Sequence, residues 1–177
     1  MAFSHGTLAV KRGVGDFSKR LCLPLDMIAP EDAWLGEILH LWRSVRPGWL
    51  LPARSALDPV RLLRTALGRA HIIDTQNEDP ESYRFRLWGT VNSYGGEYTN
   101  CRLGQMPAGL MRDDAVEDYW EVVTGGVPTY QLVYRGEHYL RYSYARLLLP
   151  LATDGRRVDQ LLVLINERRL PELEAAN

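Results

Sequence analysis

The 177-residue chain reads as an α+β protein, with one five-stranded antiparallel sheet carrying its helices on one face. Three observations give that class. The first is element order: two helical patterns, two strand-like runs, a third helical pattern, then three strand-like runs. The second is the Asp154-Gly155 pair between apolar runs, a strong hairpin signal. The third is the proline or glycine that ends each helical pattern: Pro47-Gly48, Gly68 and Gly125-Gly126.

Residues 1–29 carry glycines and mixed charge without a sustained period, and read as an N-terminal arm. Lys11, Arg12, Lys19 and Arg20 are too spread to form a basic patch. Residues 30–57 form a helix and a connector. Pro30-Glu31-Asp32 suits a helix start, because proline fits the first turn and acids suit the positive end of the dipole. Trp34, Ile38, Leu41 and Val45 then fall at helical spacing, with Leu35, Leu39 and Trp42 beside them. This face is wide enough to need a cover, either its own domain or a second copy of the chain. Asp58-Pro59 opens the second helix as cap and first turn, with Leu62, Leu63, Ala66 and Leu67 as its buried stripe.

The sheet is expected from residues 58–166, with a polar tail over 167–177. Ala70 to Thr75 and Tyr83 to Trp88 form the first hairpin across the turn chemistry of Asn77 to Ser82. In the second strand, alternation puts Tyr83, Phe85 and Leu87 on one face and Arg84, Arg86 and Trp88 on the other. Gly89 stops that strand, and a short helical piece carries Tyr94. Arg112 to Thr124 is a helix with Val116, Tyr119, Trp120 and Val123 as its apolar stripe. Asp113, Asp114, Glu117 and Asp118 read as its solvated acidic start. Thr129 to Arg135, Tyr139 to Leu151 and Arg156 to Asn166 complete the sheet.

The totals fit a folded domain. Hydrophobic residues make up 46% and charged residues 24%, and the formal net charge of −1 gives no electrostatic case for nucleic acid or an anionic membrane. The residues after Lys11 and Arg12 lack the apolar core of a signal peptide, and no apolar run is bilayer-length. Cys22 and Cys101 read as reduced thiols. The expected location is the cytoplasm.

No motif for a nucleophile elbow, phosphate loop, zinc hydrolase or redox pair is present. Gly13-Val14-Gly15 lacks the third glycine and the preceding strand of a dinucleotide fingerprint. His5, His40, His71 and His138 are scattered without ligand spacing, so no metal site is expected. A hydrogen-bonded structural histidine is favoured at His40 and His71 over an axial haem ligand. The chain does not read as an enzyme, and its cofactor is unknown.

Asp58-Pro-Val-Arg-Leu-Leu-Arg, Tyr83-Arg-Phe-Arg-Leu-Trp-Gly-Thr with Tyr98-Thr-Asn-Cys-Arg-Leu, and Tyr144-Ala-Arg-Leu-Leu-Leu-Pro-Leu-Ala-Thr-Asp-Gly-Arg-Arg-Val-Asp-Gln-Leu-Leu carry a resemblance. Together with the element order, they resemble the alphaproteobacterial single-domain PAS family (PAS_5). The resemblance spans roughly residues 30–166 and is most specific in its third segment. It implies a PAS-like sheet over 58–166 and a stand-alone sensory or regulatory role in signal transduction. Where the family has a Leu-Thr-Gly-type turn, this chain has Tyr98-Thr99-Asn100. Asn100 tolerates the left-handed conformation, whereas bulky Tyr98 narrows any pocket.

The expected ligand pocket is lined by Phe85, Leu87, Tyr94, Tyr98, Met106, Tyr119 and Trp120. A solid aromatic core built from the same residues is the competing reading. Trp34, Ile38, Leu41, Trp42, Arg84, Arg86 and Trp88 form the expected interface set, which Tyr142, Tyr144 and Arg146 join across the sheet. Expected partners are a small-molecule ligand, a second copy in a homodimer and a signalling protein, without nucleic acid or membrane insertion. A ligand-free interaction module and a small α+β enzyme are the rival readings.

Overall fold

Seven antiparallel strands form one sheet in the computed structural model, which describes residues 8–12, 16–76, 78–92, 96–137 and 140–168. For Leu63, Asn92, Glu137 and Leu140 the description covers the backbone alone. The strands are β1 (Leu8–Arg12), β2 (Phe17–Leu23), β3 (Ala70–Asp74), β4 (Arg84–Leu87), β5 (Thr129–Glu137), β6 (Leu140–Leu151) and β7 (Gln160–Arg168). Their order across the sheet is β1-β2-β5-β6-β7-β3-β4. The helices are α1 (Ala33–Ser44), α2 (Pro59–Ala66) and α3 (Leu110–Gly125).

The five expected strands are present and contiguous, but the sheet has seven. The extra two come from the N-terminal segment, which is not a loose arm over 8–12 and 17–23. Phe17–Leu23 alternates Ser18, Arg20 and Cys22 against Lys19 and Leu21, and it pairs with β5 along its length. The Phe17 ring fills the space where a Cβ on Gly136 would sit, 2.5 Å from its nearest atom, which fixes this register. At the other end, Glu167 and Arg168 extend β7 rather than fray, and 169–177 lie outside the described residues.

Helices cover both faces, not one. Period-two alternation sends alternate residues of each strand to opposite sides. Tyr130, Ala145, Leu147, Leu149, Leu162, Leu164 and Asn166 face one side by register. There Asp32, buried at the start of α1, accepts hydrogen bonds from the Tyr130 hydroxyl (2.6 Å), Asn166 Nδ2 (2.8 Å) and Arg168. Leu35, Ile38, Leu39, Leu41 and Trp42 are buried on α1, and the Trp42 indole donates to the Pro150 carbonyl at 2.9 Å. Each such side chain contributes about 1.5–3 kcal/mol by leaving water. Trp34 is half-buried, with the Arg69 guanidinium stacked 5.6 Å from its ring centre. The wide face of α1 is therefore covered within the chain.

The opposite side carries Gln131, Val133, Arg135, Tyr144, Arg146, Val163, Ile165 and His71, and α3 lies over it. Because both sides are covered, Ser143–Leu151 of β6 is buried without a break.

Local chemistry sets the ends. The Asp58 carboxylate accepts from the Val60 and Arg61 amides and caps α2. Leu67, expected in the buried stripe, is instead exposed just past the end of α2, and the Leu63 side chain is not among those described. Gly126, in the left-handed conformation, closes α3. The last strand starts four residues later than expected. Asp154 accepts from the Arg156 and Arg157 amides at 2.8 Å each, which folds 153–159 into a turn instead.

Candidate functional site

β4 is where strand alternation breaks. Its register against β3 runs Ile73 to Phe85 and then Ile72 to Leu87, so one residue is extra and the strand bulges. Phe85 points toward α3, Arg86 and Leu87 both point outward, and Trp88 turns back in. Gly89 follows because the backbones meet there. A Cβ on it would lie 2.6 Å from the Gly68 carbonyl oxygen and 3.0 Å from Ala70 backbone atoms. This approach lets the Gly89 amide donate to His71 Nδ1 at 3.0 Å.

Behind that bulge, between α3 and the sheet, is a cavity of about 40 Å³. His71, Phe85 and Trp88 form one wall. Met106, Met111, Ala115 and Tyr119 form the helix side, while Tyr142, Tyr144, Arg146 and Ile165 come from β6 and β7. Aromatic edges define its shape. Trp88 lies 4.1 Å from the His71 ring and 5.0 Å edge-on from Phe85. At roughly 10–15 Å³ per water, the space holds about three waters. That is far below the ~300–1,000 Å³ of pockets for drug-sized ligands.

His71 is 1% exposed. Burial, helped by the Arg146 charge, pulls its pKa down from 6.5 to about 3, so the imidazole is neutral. Nδ1 accepts from Gly89, so the proton sits on Nε2. His71 Nε2 and Trp88 Nε1 are both buried without a hydrogen-bond partner. Burial lifts the Tyr119 hydroxyl to about 12, so it stays protonated.

Beside the cavity is a buried ionic network. Asp114 and Asp118, one turn apart on α3, are 0% and 1% exposed. Asp118 accepts from Arg20 (2.6 Å) and from Arg146, which also reaches Gln131 at 3.0 Å. Asp114 accepts from Arg135 (2.7 Å) and from the Ser18 hydroxyl. At the rim, Lys11 pairs with Glu117 at 2.7 Å, and Arg20 reaches Glu117 at 2.9 Å. Burial opposes the charge on Arg20 and Arg146, yet their carboxylate neighbours hold both pKa values above the ordinary one. Asp114 and Asp118 are thus not a solvated helix start; they tie α3 to β1, β2, β5 and β6. Cys22, on this face of β2, is a free buried thiol pushed up to about 11 by burial, and Cys101 is also free.

Of the expected pocket set, Phe85, Met106 and Tyr119 line the cavity. Tyr98 is buried against Trp88, rings 5.0 Å apart, one layer behind it. Asn100 has φ 66°, the left-handed turn expected of it. Leu87 is turned out by the bulge, and Trp120 lies at an open depression with Val123 and Arg157. Tyr94 lies outside the described residues, as do His5 and His138. Of the interface set, Ile38, Leu41 and Trp42 are core, and Arg84 and Arg86 are exposed. Trp88, Tyr142, Tyr144 and Arg146 share the α3 side with Phe85, not the opposite face. The bulge moves Trp88 there, and β6 register places the others. Among the described residues, no cluster of three metal-ligating side chains occurs. No described helix is long and apolar enough to cross a membrane.

Comparison with protein-family models, with curated proteins and with solved structures returned no match to this chain.

Proposed function

We propose that the chain is a cytoplasmic PAS-like sensory or regulatory domain that binds a small ligand between α3 and the sheet and signals in trans. One observation carries this reading: an aromatic cavity lined by His71 and Trp88, whose buried N–H donors, His71 Nε2 and Trp88 Nε1, lack protein partners. Native proteins seldom leave buried donors unpaired, and a bound molecule is one reason they do so. The five contiguous strands over 70–168, with α3 crossing their inner face, support the PAS-like part.

Helix α3 supplies a route for the signal. Met111, Ala115 and Tyr119 touch the cavity, while Asp114 and Asp118 hold β1 and β2. A ligand that shifts α3 must strain or relax those ion pairs. The neutral His71 and Tyr119 support binding over acid–base catalysis, since neither exchanges a proton readily near pH 7.

A ligand-free interaction module is the second reading, favoured by the small cavity volume. Native mass spectrometry of protein purified from its source separates the two. The expected spectrum contains a retained small mass that is lost on collisional activation. A bare chain carrying only a protein partner would favour the second reading.

A further inference from the structure

We infer that the cavity takes a small monocarboxylate, its oxygens held by the Trp88 indole and His71 imidazole N–H groups. The inference rests on the ligand-binding reading above and adds the chemical class. Three features converge on it.

The first is the pattern of donors. With Nδ1 engaged by Gly89, His71 presents Nε2–H, and Trp88 offers only Nε1–H. The two rings lie 4.1 Å apart and both line the cavity, so two donors from neighbouring side chains suit the two oxygens of one carboxylate. The second is charge. Among the buried groups of this face, the three guanidinium groups of Arg20, Arg135 and Arg146 meet two carboxylates, Asp114 and Asp118. Lys11 and Glu117 offset each other at the rim. A buried anion is tolerated only where such charge and donors await it.

Size is the third. A volume of about 40 Å³ suits a molecule near the size of acetate. An aromatic box alone would also suit an alkylammonium ion through cation–π attraction. Arg146 in the wall and the unpartnered N–H donors of the lining rings oppose a cation.

The test uses the full chain, ¹⁵N-labelled, at constant ionic strength set with sodium chloride. Sodium acetate, acetamide and ethylammonium chloride are titrated separately, and xenon serves as an apolar probe of the space. The Trp88 Nε1–H resonance is assigned by its loss in Trp88→Phe. We expect acetate to shift it saturably and at least tenfold more tightly than acetamide, with no response to ethylammonium. Trp88→Phe should weaken acetate at least tenfold, read at the backbone amides of Ala115 and Tyr119, with an unchanged far-UV spectrum. Ala115→Leu, which fills the cavity from α3, should abolish the response. If acetamide or ethylammonium binds as well as acetate, the carboxylate class is overturned while the ligand-site reading stands. An acetate shift that survives Ala115→Leu also overturns the class, because the anion then sits elsewhere. Should no probe move a cavity resonance, both readings fall.

Discussion

On the α1 side of the sheet, Leu147, Leu149 and Leu164 meet Leu35, Ile38 and Trp42. One residue along the same strands, Arg135 meets Asp114 of α3, and Arg146, which also donates to Gln131, meets Asp118. The first contact is apolar apart from the Asp32 cluster and the Trp42 hydrogen bond. The second buries five charges and leaves a cavity beside them. Apolar packing is non-directional and close-fitting, so the α1 side stabilises the fold. Buried ion pairs add little net stability, because desolvation offsets their attraction, but they fix orientation. Placing them on the cavity side fixes how α3 sits over the sheet.

The largest effect expected from disturbing this arrangement is on the charged side. Asp118→Ala leaves Arg20 and Arg146 without their shared partner and should cost about 3–5 kcal/mol in denaturant unfolding. The paired change Asp118→Leu with Arg146→Met should recover at least half of that loss. If the double variant is as unstable as the single one, the pair contributes real stability and the contrast between faces collapses. On the apolar side, Leu149→Ala should cost about 2–5 kcal/mol, and no second substitution at a charged site should rescue it.

A smaller effect sharpens the same contrast through pH. His71 has a folded pKa of about 3 against the ordinary 6.5, so the unfolded chain binds a proton that the folded chain refuses. Its contribution is complete above pH 6.5 and is lost as pH falls toward 3. The slope is about 1.4 kcal/mol per pH unit in that window. His71→Gln should flatten the stability profile by that amount between pH 6 and pH 4, while Leu149→Ala should lower it without changing its slope. An unchanged slope in His71→Gln would mean that His71 titrates normally and is not sealed in the cavity wall.

How far the sequence could be read follows the same division. The helices, the caps and five strands were legible, because apolar periodicity and Asp-Gly or Asp-Pro punctuation are local signals. β1 and β2 were not, because Lys11, Lys19 and Arg20 read as solvated charges. Arg20 is buried because carboxylates of α3 meet it, among them Asp118, 98 residues away. The spacing of Asp114 and Asp118 at one helical turn was a usable hint of a single buried acidic stripe. Phe85 was found by strand alternation, Tyr119 by helical spacing, and Met106 as part of a loop expected to close over the sheet. Leu87 and Trp88 were exchanged because a one-residue bulge inverts every side chain after it. His71 was correctly read as hydrogen-bonded, but its free Nε2 depends on the Gly89 approach, which no local pattern encodes.

The most direct measurement of the central claim is crystallographic density at the α3 cavity in protein purified from its source. Ordered non-protein density is expected within hydrogen-bond reach of both His71 Nε2 and Trp88 Nε1. A cavity closed by side chains, with both nitrogens bonded to protein atoms, would contradict it.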